Sequence, residues 1–284
     1  MQITHLRSGE KFVYYFGPMA DASSYDEIYK AFDSPLAQQL RREAQGDDIG
    51  QHSWTDAAEL KEDISRLQLT TKSRLLDLGC GPCGPLTFIV DQVGCRGFGV
   101  DCSTEAVASG RARASAMNLE NQLTLQQADL NDPLPLADAS FDAVLSVDVI
   151  LHLRNREAVF QEVARLLAPG KRFLFTDAGV LTGAISSEEI LARSLYGHTH
   201  FAPPRYNENA LERSRFRLLE QQDRTASLLK SASGRLSTRL SHRVELVELE
   251  GTENFERQLC YLETIIALAQ SKVLSRFMYL AQLV

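Results

Sequence analysis

No stretch of this chain approaches the roughly 20 consecutive apolar residues that a bilayer-spanning helix needs. Its first residues, MQITHLRSGEKFVYYFG, hold no apolar core of signal-peptide length. We therefore expect a soluble, cytoplasmic protein with no membrane span. Dense Lys/Arg blocks are also missing: 37 acidic residues face 30 basic ones, for a formal charge of −7. Nothing here is built to neutralise a phosphate backbone, which argues against nucleic acid as a partner. Cysteine is scarce and odd in number. Four of the five (Cys80, Cys83, Cys95, Cys102 and Cys260) crowd into one window without the spacing of a secreted scaffold, so reduced thiols are expected. Internal repeats and low-complexity tracts are lacking too. What is present is 284 residues, 44 % of them hydrophobic, enough to bury a sizeable core in one large domain or a domain with a cap.

From about Thr71 short apolar runs alternate with amphipathic stretches: RLLDLG, LTFIVDQV, GFGVD, TEAVASGRARASAM, LTLQQAD, FDAVLSVD, REAVFQEVARLLAPG and KRFLFTD. Such alternation predicts an α/β fold whose parallel sheet is covered on both faces. Pro169 and Gly170 are expected to stop the helix before the last of these runs. We divide the chain into an N-terminal lid (1–58), an α/β core (59–180) and a segment (181–284) that supplies a cap and the final strands. In the lid, a helix is expected around Pro35 to Ala44, followed by the polar run QGDDIGQHSW. In the last segment, S-S-E-E at 186–189 reads as a capping box. Leu228, Ala232, Leu236, Leu240 and Val244 recur every four residues, and a second stripe carries Phe255, Leu259, Leu262, Ile265, Ile266 and Ala269. The two stripes predict a helical hairpin inserted before a last strand, FMYLAQLV, with a homodimer contact as one use for its leucines.

The run LLDLGCGPCGP at 75–85 is the main chemical signal. A strand ending in Asp77 and followed by Gly79, Gly81 and Gly84 lets the backbone turn with no side chain in the way, so a ligand can lie on it. The spacing also satisfies G-x-G-x-x-G, and Asp101, about 20 residues on, suits ribose hydroxyls in a nicotinamide enzyme as well. Cys80 to Cys83 spells C-G-P-C, the tetrapeptide of dithiol oxidoreductases, although Gly79 stands where those proteins carry tryptophan. From these residues alone, all three readings stay open.

The loop resembles the L-D-x-G-C-G-x-G pattern of class I S-adenosylmethionine-dependent methyltransferases. The later segments QQADLNDPLPLADASFDAVLSVDVILHL and RLLAPGKRFLFTD resemble the same family's motifs in the same order, with Lys171 in place of a glycine. The resemblance covers about Leu75 to Asp177. It implies a doubly wound, mostly parallel seven-stranded sheet with helical lid and cap insertions, with S-adenosylmethionine as co-substrate. It further implies that Asp77 holds the methionine end of the donor above Gly79, Cys80, Gly81 and Gly84. Asp101 would accept the ribose hydroxyls, Asp129 and Leu130 would meet the adenine, His152 would lie along the methionine arm, and Cys102 and Val147 would also contact the donor. Gln51 and Trp54 of GQHSW, and more loosely Tyr25, would close over the donor. The acceptor is expected to be a small molecule methylated on nitrogen or oxygen. A quinone-type C-methyltransferase, or a sensor that binds the donor without turnover, are the alternatives.

Methyl transfer from a sulfonium is an in-line displacement, so the protein's work is to position the acceptor and exclude water, with a base only where a proton must leave. Asp148, at the carboxyl end of FDAVLSVD, is the first candidate on the substrate side, with capping of the next segment as its other reading. His152, four residues on, is a base or a structural histidine. His198 and His200 flank Thr199 in the cap. Their H-x-H spacing lacks a third ligand nearby, so substrate contact is expected of them and no metal. Asp177 ends the next strand at the same face.

Overall fold

The computed structural model describes residues 14–16, 22–195 and 199–284. A short strand β1 (Tyr14–Phe16) precedes helices α1 (Ala22–Tyr29), α2 (Pro35–Gln45) and α3 (Ala57–Leu67). The predicted alternation follows: β2 (Arg74–Leu78), α4 (Gly84–Val93), β3 (Arg96–Asp101), α5 (Thr104–Ala116) and β4 (Leu123–Gln127). Next come β5 (Phe141–Val147), α6 (Arg156–Leu166), β6 (Leu167–Leu181), α7 (Ser187–Arg193) and β7 (Thr199–Phe201). The chain finishes with α8 (Tyr206–Arg213), β8 (Phe216–Asp223), α9 (Thr225–Ser241), α10 (Arg243–Glu250), α11 (Thr252–Gln270) and β9 (Leu274–Leu283).

Side-chain oxygens start these helices where the sequence placed them. Ser103 accepts from the Ala106 amide at 3.0 Å, Asn155 from Ala158 at 3.1 Å, and Ser186 with Glu189 closes the expected capping box. The seven-stranded sheet runs β4-β3-β2-β5-β6-β9-β8. β2 to β6 pair in parallel, and β9 lies antiparallel to both β6 and β8. This is the doubly wound, mostly parallel arrangement that the sequence predicts. Both faces are buried with a period of two: Leu75, Leu145, Leu174 and Leu280 pack on one side, and Leu76, Val144, Phe173 and Tyr279 on the other. After β2 the chain winds outward to β4 and returns as β5 on β2's other side. The loops leaving β2 and β5 therefore diverge, and a crevice opens at the carboxyl ends of the strands.

Three local expectations change. Helix α6 stops at Leu166, ahead of Pro169 and Gly170, because Leu167 already pairs with Phe141. The breaker pair lies in the register shift that follows. The predicted helical hairpin is three helices, α9 to α11. Its first stripe leaves the fold at the far end, with Leu228 and Ala232 buried but Leu240 and Val244 exposed. Gly84 does not face the crevice: a Cβ there would lie 2.2 Å from the carbonyl oxygens of Ile49 and Gly50, so this glycine admits the lid backbone against α4. Gly84→Ala should therefore displace residues 49–50 and destabilise the fold by at least about 1 kcal/mol, read as a lowered melting temperature. The N-terminal segment is tied to the cap by the antiparallel pairing of β1 with β7. Among the described residues no helix is long and apolar enough to cross a membrane.

Candidate active site

The loop after β2 turns at Gly79 (φ +73°) and Gly81 (φ +52°), a backbone conformation that other residues adopt only at a cost. A Cβ at Gly79 would also lie 2.5 Å from Val149, so the bare backbone brings the loops after β2 and β5 together. Asp101, at the end of β3, pins the turn: its carboxylate accepts from the Gly81 amide at 2.8 Å and the Ser103 amide at 2.9 Å. Above this floor lies a cavity of about 380 Å³. Tyr25 and Tyr29, one turn apart on α1, share a wall with Trp54, Leu151, His152 and Tyr261. The Tyr25 ring meets His152 edge-on at 6.2 Å, and Trp54 stacks on Tyr261 at 6.3 Å.

Most residues singled out in the sequence line this cavity: Tyr25, Trp54, Asp77, Gly79, Cys80, Gly81, Asp101, Cys102, Asp129, Leu130, Val147, Asp148 and His152. Others do not. Gln51 is buried against α2, where its amide donates to Gln45. Gly84 packs on the lid, as described above. His200 is buried in β7 with its ring 5.5 Å from Tyr206, outside the cavity wall, and Asp177 is enclosed with Arg156 and Asn207. His198 lies outside the described residues. Among the described residues no group of three or more His, Cys, Asp or Glu side chains is placed to hold a metal.

Charged side chains of both signs line the cavity, Asp148 and Arg154 among them. Asp77, Asp101 and Asp129 lie on the glycine-loop side, and Arg193 and Arg235 on the side of α7 and α9. Burial, helped by the Asp101 charge, pushes the Asp77 carboxyl up to about 7, and its Oδ2 is a buried oxygen with no hydrogen-bond partner among the described residues. Such an atom is costly unless something arrives to satisfy it. Asp129 turns its Oδ1 to the Asn131 amide at 2.9 Å. Asp148 is differently placed. Its Oδ1 takes Arg276 Nε at 2.9 Å and Thr176 Oγ1 at 2.8 Å, while its Oδ2 takes the Trp54 amide at 3.0 Å. Burial alone would raise its pKa, yet the Arg276 charge and these hydrogen bonds hold it below the ordinary carboxylate value. Asp148 thus remains ionised and fully engaged, which fits it to fix Trp54 over the cavity.

The C-G-P-C thiols fare poorly as a redox pair. Cys80 and Cys83 lie 3.3 Å apart between sulfurs, and their hydrogen bond, with burial, raises the Cys80 pKa well above the ordinary thiol. Burial beside Asp101 pushes Cys102 up to about 12. Cys80 and Cys102 are therefore held as thiols, poor in nucleophilic thiolate.

Several wall residues carry no sequence signal: Tyr29, His52, Arg193, Arg235 and Tyr261. His52 was within reach, sitting between Gln51 and Trp54. Burial, with the charges of Arg235 and His152, pushes its imidazole pKa down to about 3.

Comparison with known proteins agrees with the fold. Residues 76–175 match a family described as "Methyltransferase domain". "Methyltransferase GfsG" of Streptomyces halstedii is 28 % identical over 176 residues, covering 56 % of this chain and 63 % of its own length. "O-methyltransferase resE" of Aspergillus sclerotiorum is 29 % identical over 163 residues, covering 56 % and 60 %. This chain thus spans less than two thirds of these relatives. The names of curated relatives include transfer to oxygen, nitrogen and carbon. Among solved structures, the cyclopropane synthase MmaA2 of Mycobacterium tuberculosis aligns with TM-score 0.77 at 15 % identity, over 94 % of this chain and 99 % of that one, which establishes a shared fold.

Proposed function

We propose that this chain, whose residues 76–175 match a methyltransferase domain, is a class I S-adenosylmethionine-dependent methyltransferase that moves a methyl group from that donor to an oxygen or nitrogen of a small molecule held in the cavity. The orphaned Asp77 oxygen carries the reading. A buried acceptor with a raised pKa, beside a loop too tight for side chains, suits the donor's α-ammonium group. Asp101 would accept the ribose hydroxyls, and Asp129 and the Leu130 backbone would meet the adenine. Tyr25 and Trp54 would cover the methionine arm. When bound, the donor supplies an electrophilic methyl on a sulfonium. The protein's part is to exclude water with Tyr25, Tyr29, Trp54 and Tyr261, and to line up the acceptor. His152, on the cavity wall, is the residue placed to take the proton that an oxygen or nitrogen acceptor sheds. Asp148 acts as a positioning residue through Trp54.

Calorimetric titration tests the reading. S-Adenosylhomocysteine should bind where NADH does not, and at least one acceptor from a panel of hydroxylated and amino metabolites should be turned over. Absence of S-adenosylhomocysteine binding would overturn it, and binding without any turnover would leave a donor sensor. The pH dependence is equally specific. Below about 7 Asp77 is protonated and meets an ammonium poorly, so donor affinity should rise by roughly tenfold per pH unit up to that value and then level. Asp77→Asn should flatten the profile. In the unliganded protein the sign is reversed: a carboxyl raised on folding binds its proton more tightly in the native state. Stability should therefore fall as pH rises from the ordinary carboxylate value through about 7.

A further inference from the structure

Four arginines are buried among the described residues, and three have a carboxylate to match. Arg156 pairs with Asp177, Arg224 with Asp63, and Arg276 with Asp148 and Glu59. Arg193 is the exception. It is 3 % exposed, at the end of α7, yet among the described residues it has no carboxylate partner. Its guanidinium donates to the Tyr261 hydroxyl and to the Ala178 carbonyl at 3.3 and 3.2 Å, and its Nε is buried with no hydrogen-bond partner among the described residues. A buried guanidinium without a counterion is costly enough that folds rarely retain one unless something pairs with it. Arg193 also lines the cavity, and its bond to Ala178 sets it beside β6, across β5 from the strands β2, β3 and β4 at whose ends Asp77, Asp101 and Asp129 lie.

We propose that Arg193, with the Tyr261 hydroxyl beside it, is the recognition point for an anionic group of carboxylate size on the methyl acceptor. The inference rests on the methyltransferase reading and names the acceptor's class: a small carboxylic acid whose body lies against Trp54 and Tyr261. Two of the five guanidinium hydrogens are occupied, so Nε and an adjacent Nη remain to meet both oxygens of a carboxylate in the paired geometry that arginine favours. Arg235 strengthens the same field. It lies 4.6 Å over the Trp54 ring and donates to the His52 carbonyl at 3.0 Å, which keeps its charge on the cavity wall. A cationic donor beside Asp77 and an anionic acceptor beside Arg193 match the charges of those walls.

The test uses the full chain saturated with S-adenosylhomocysteine, titrated with acetate, benzoate, 4-hydroxybenzoate and indole-3-acetate, each against its own primary amide. At least one acid should bind tenfold or more tightly than its amide. Arg193→Gln should abolish that preference and leave the affinity for S-adenosylhomocysteine within twofold, while Arg193→Lys should retain part of the preference. Equal binding of acid and amide in every pair overturns the proposal on the wild-type protein alone, whatever the variants do. A loss of S-adenosylhomocysteine affinity in Arg193→Gln, with the fold intact by thermal melting, also overturns it, because Arg193 then serves the donor's own carboxylate. Failure of the wild-type protein to bind S-adenosylhomocysteine is a separate result and overturns the methyltransferase reading.

Discussion

Arg276→Met should lower the free energy of unfolding by about 3 to 5 kcal/mol, because it strands the buried Asp148 carboxylate, which has no other cation beside it among the described residues. Arg276 is fully buried, and its Nε and Nη1 reach Asp148 and Glu59 at 2.9 and 2.8 Å. Asp148 is nearly as enclosed, and its lowered pKa records how far the pair and its hydrogen bonds favour the charged form. With the cation removed, that carboxylate must either stay charged in an apolar interior or take up a proton. Guanidinium chloride unfolding at neutral pH measures the loss. Adding Asp148→Asn to Arg276→Met should recover part of it, since the double variant removes the stranded charge as well as its partner. The pH dependence has a definite sign. Asp148 is depressed on folding, so its contribution is complete above the ordinary carboxylate value and is lost as pH falls through its folded value. The variant should therefore lie closest to wild type in acid. Donor affinity should drop too, because Trp54 loses the firm acceptor for its amide.

That network also shows where sequence reading stops. The α/β alternation and the glycine turn follow from local pattern: continuous apolar runs in β2 and β5, a capping box at α7, and glycine where φ is positive. Asp77, Asp101 and Asp129 were legible because each ends or follows a strand at the crevice. Arg276 was not, since it interrupts the apolar strand β9 and meets Asp148 from 128 positions away. Nothing local distinguishes it from an exposed arginine. Gln51 and His52 show a finer limit. Neighbouring residues in a loop point in opposite directions, and without a helical or strand period the sequence cannot say which faces the cavity. Gly84 shows another: it satisfies the glycine motif while its bare backbone serves the approach of residues 49–50.

Asp101→Ala should weaken S-adenosylhomocysteine binding by about 1.5 to 3 kcal/mol, roughly tenfold to 150-fold, the loss expected for charge-assisted hydrogen bonds to a ligand. The structure complicates that substitution. The same carboxylate accepts from the Gly81 and Ser103 amides, so alanine removes the bonds that hold the loop and the start of α5 along with any to the ribose. Asp101→Asn separates the two, because it keeps an acceptor for one amide while discarding the charge. A ligand lacking both ribose hydroxyls completes the comparison. If Asp101 reads those hydroxyls, the dideoxy analogue of S-adenosylhomocysteine binds wild type more weakly than the parent, and that difference shrinks in Asp101→Asn and vanishes in Asp101→Ala. If the carboxylate serves only to shape the loop, every variant weakens both ligands by the same factor, and the difference between them survives. Calorimetry on two ligands and three proteins thus tells direct recognition from loop support, which one affinity for Asp101→Ala would confuse.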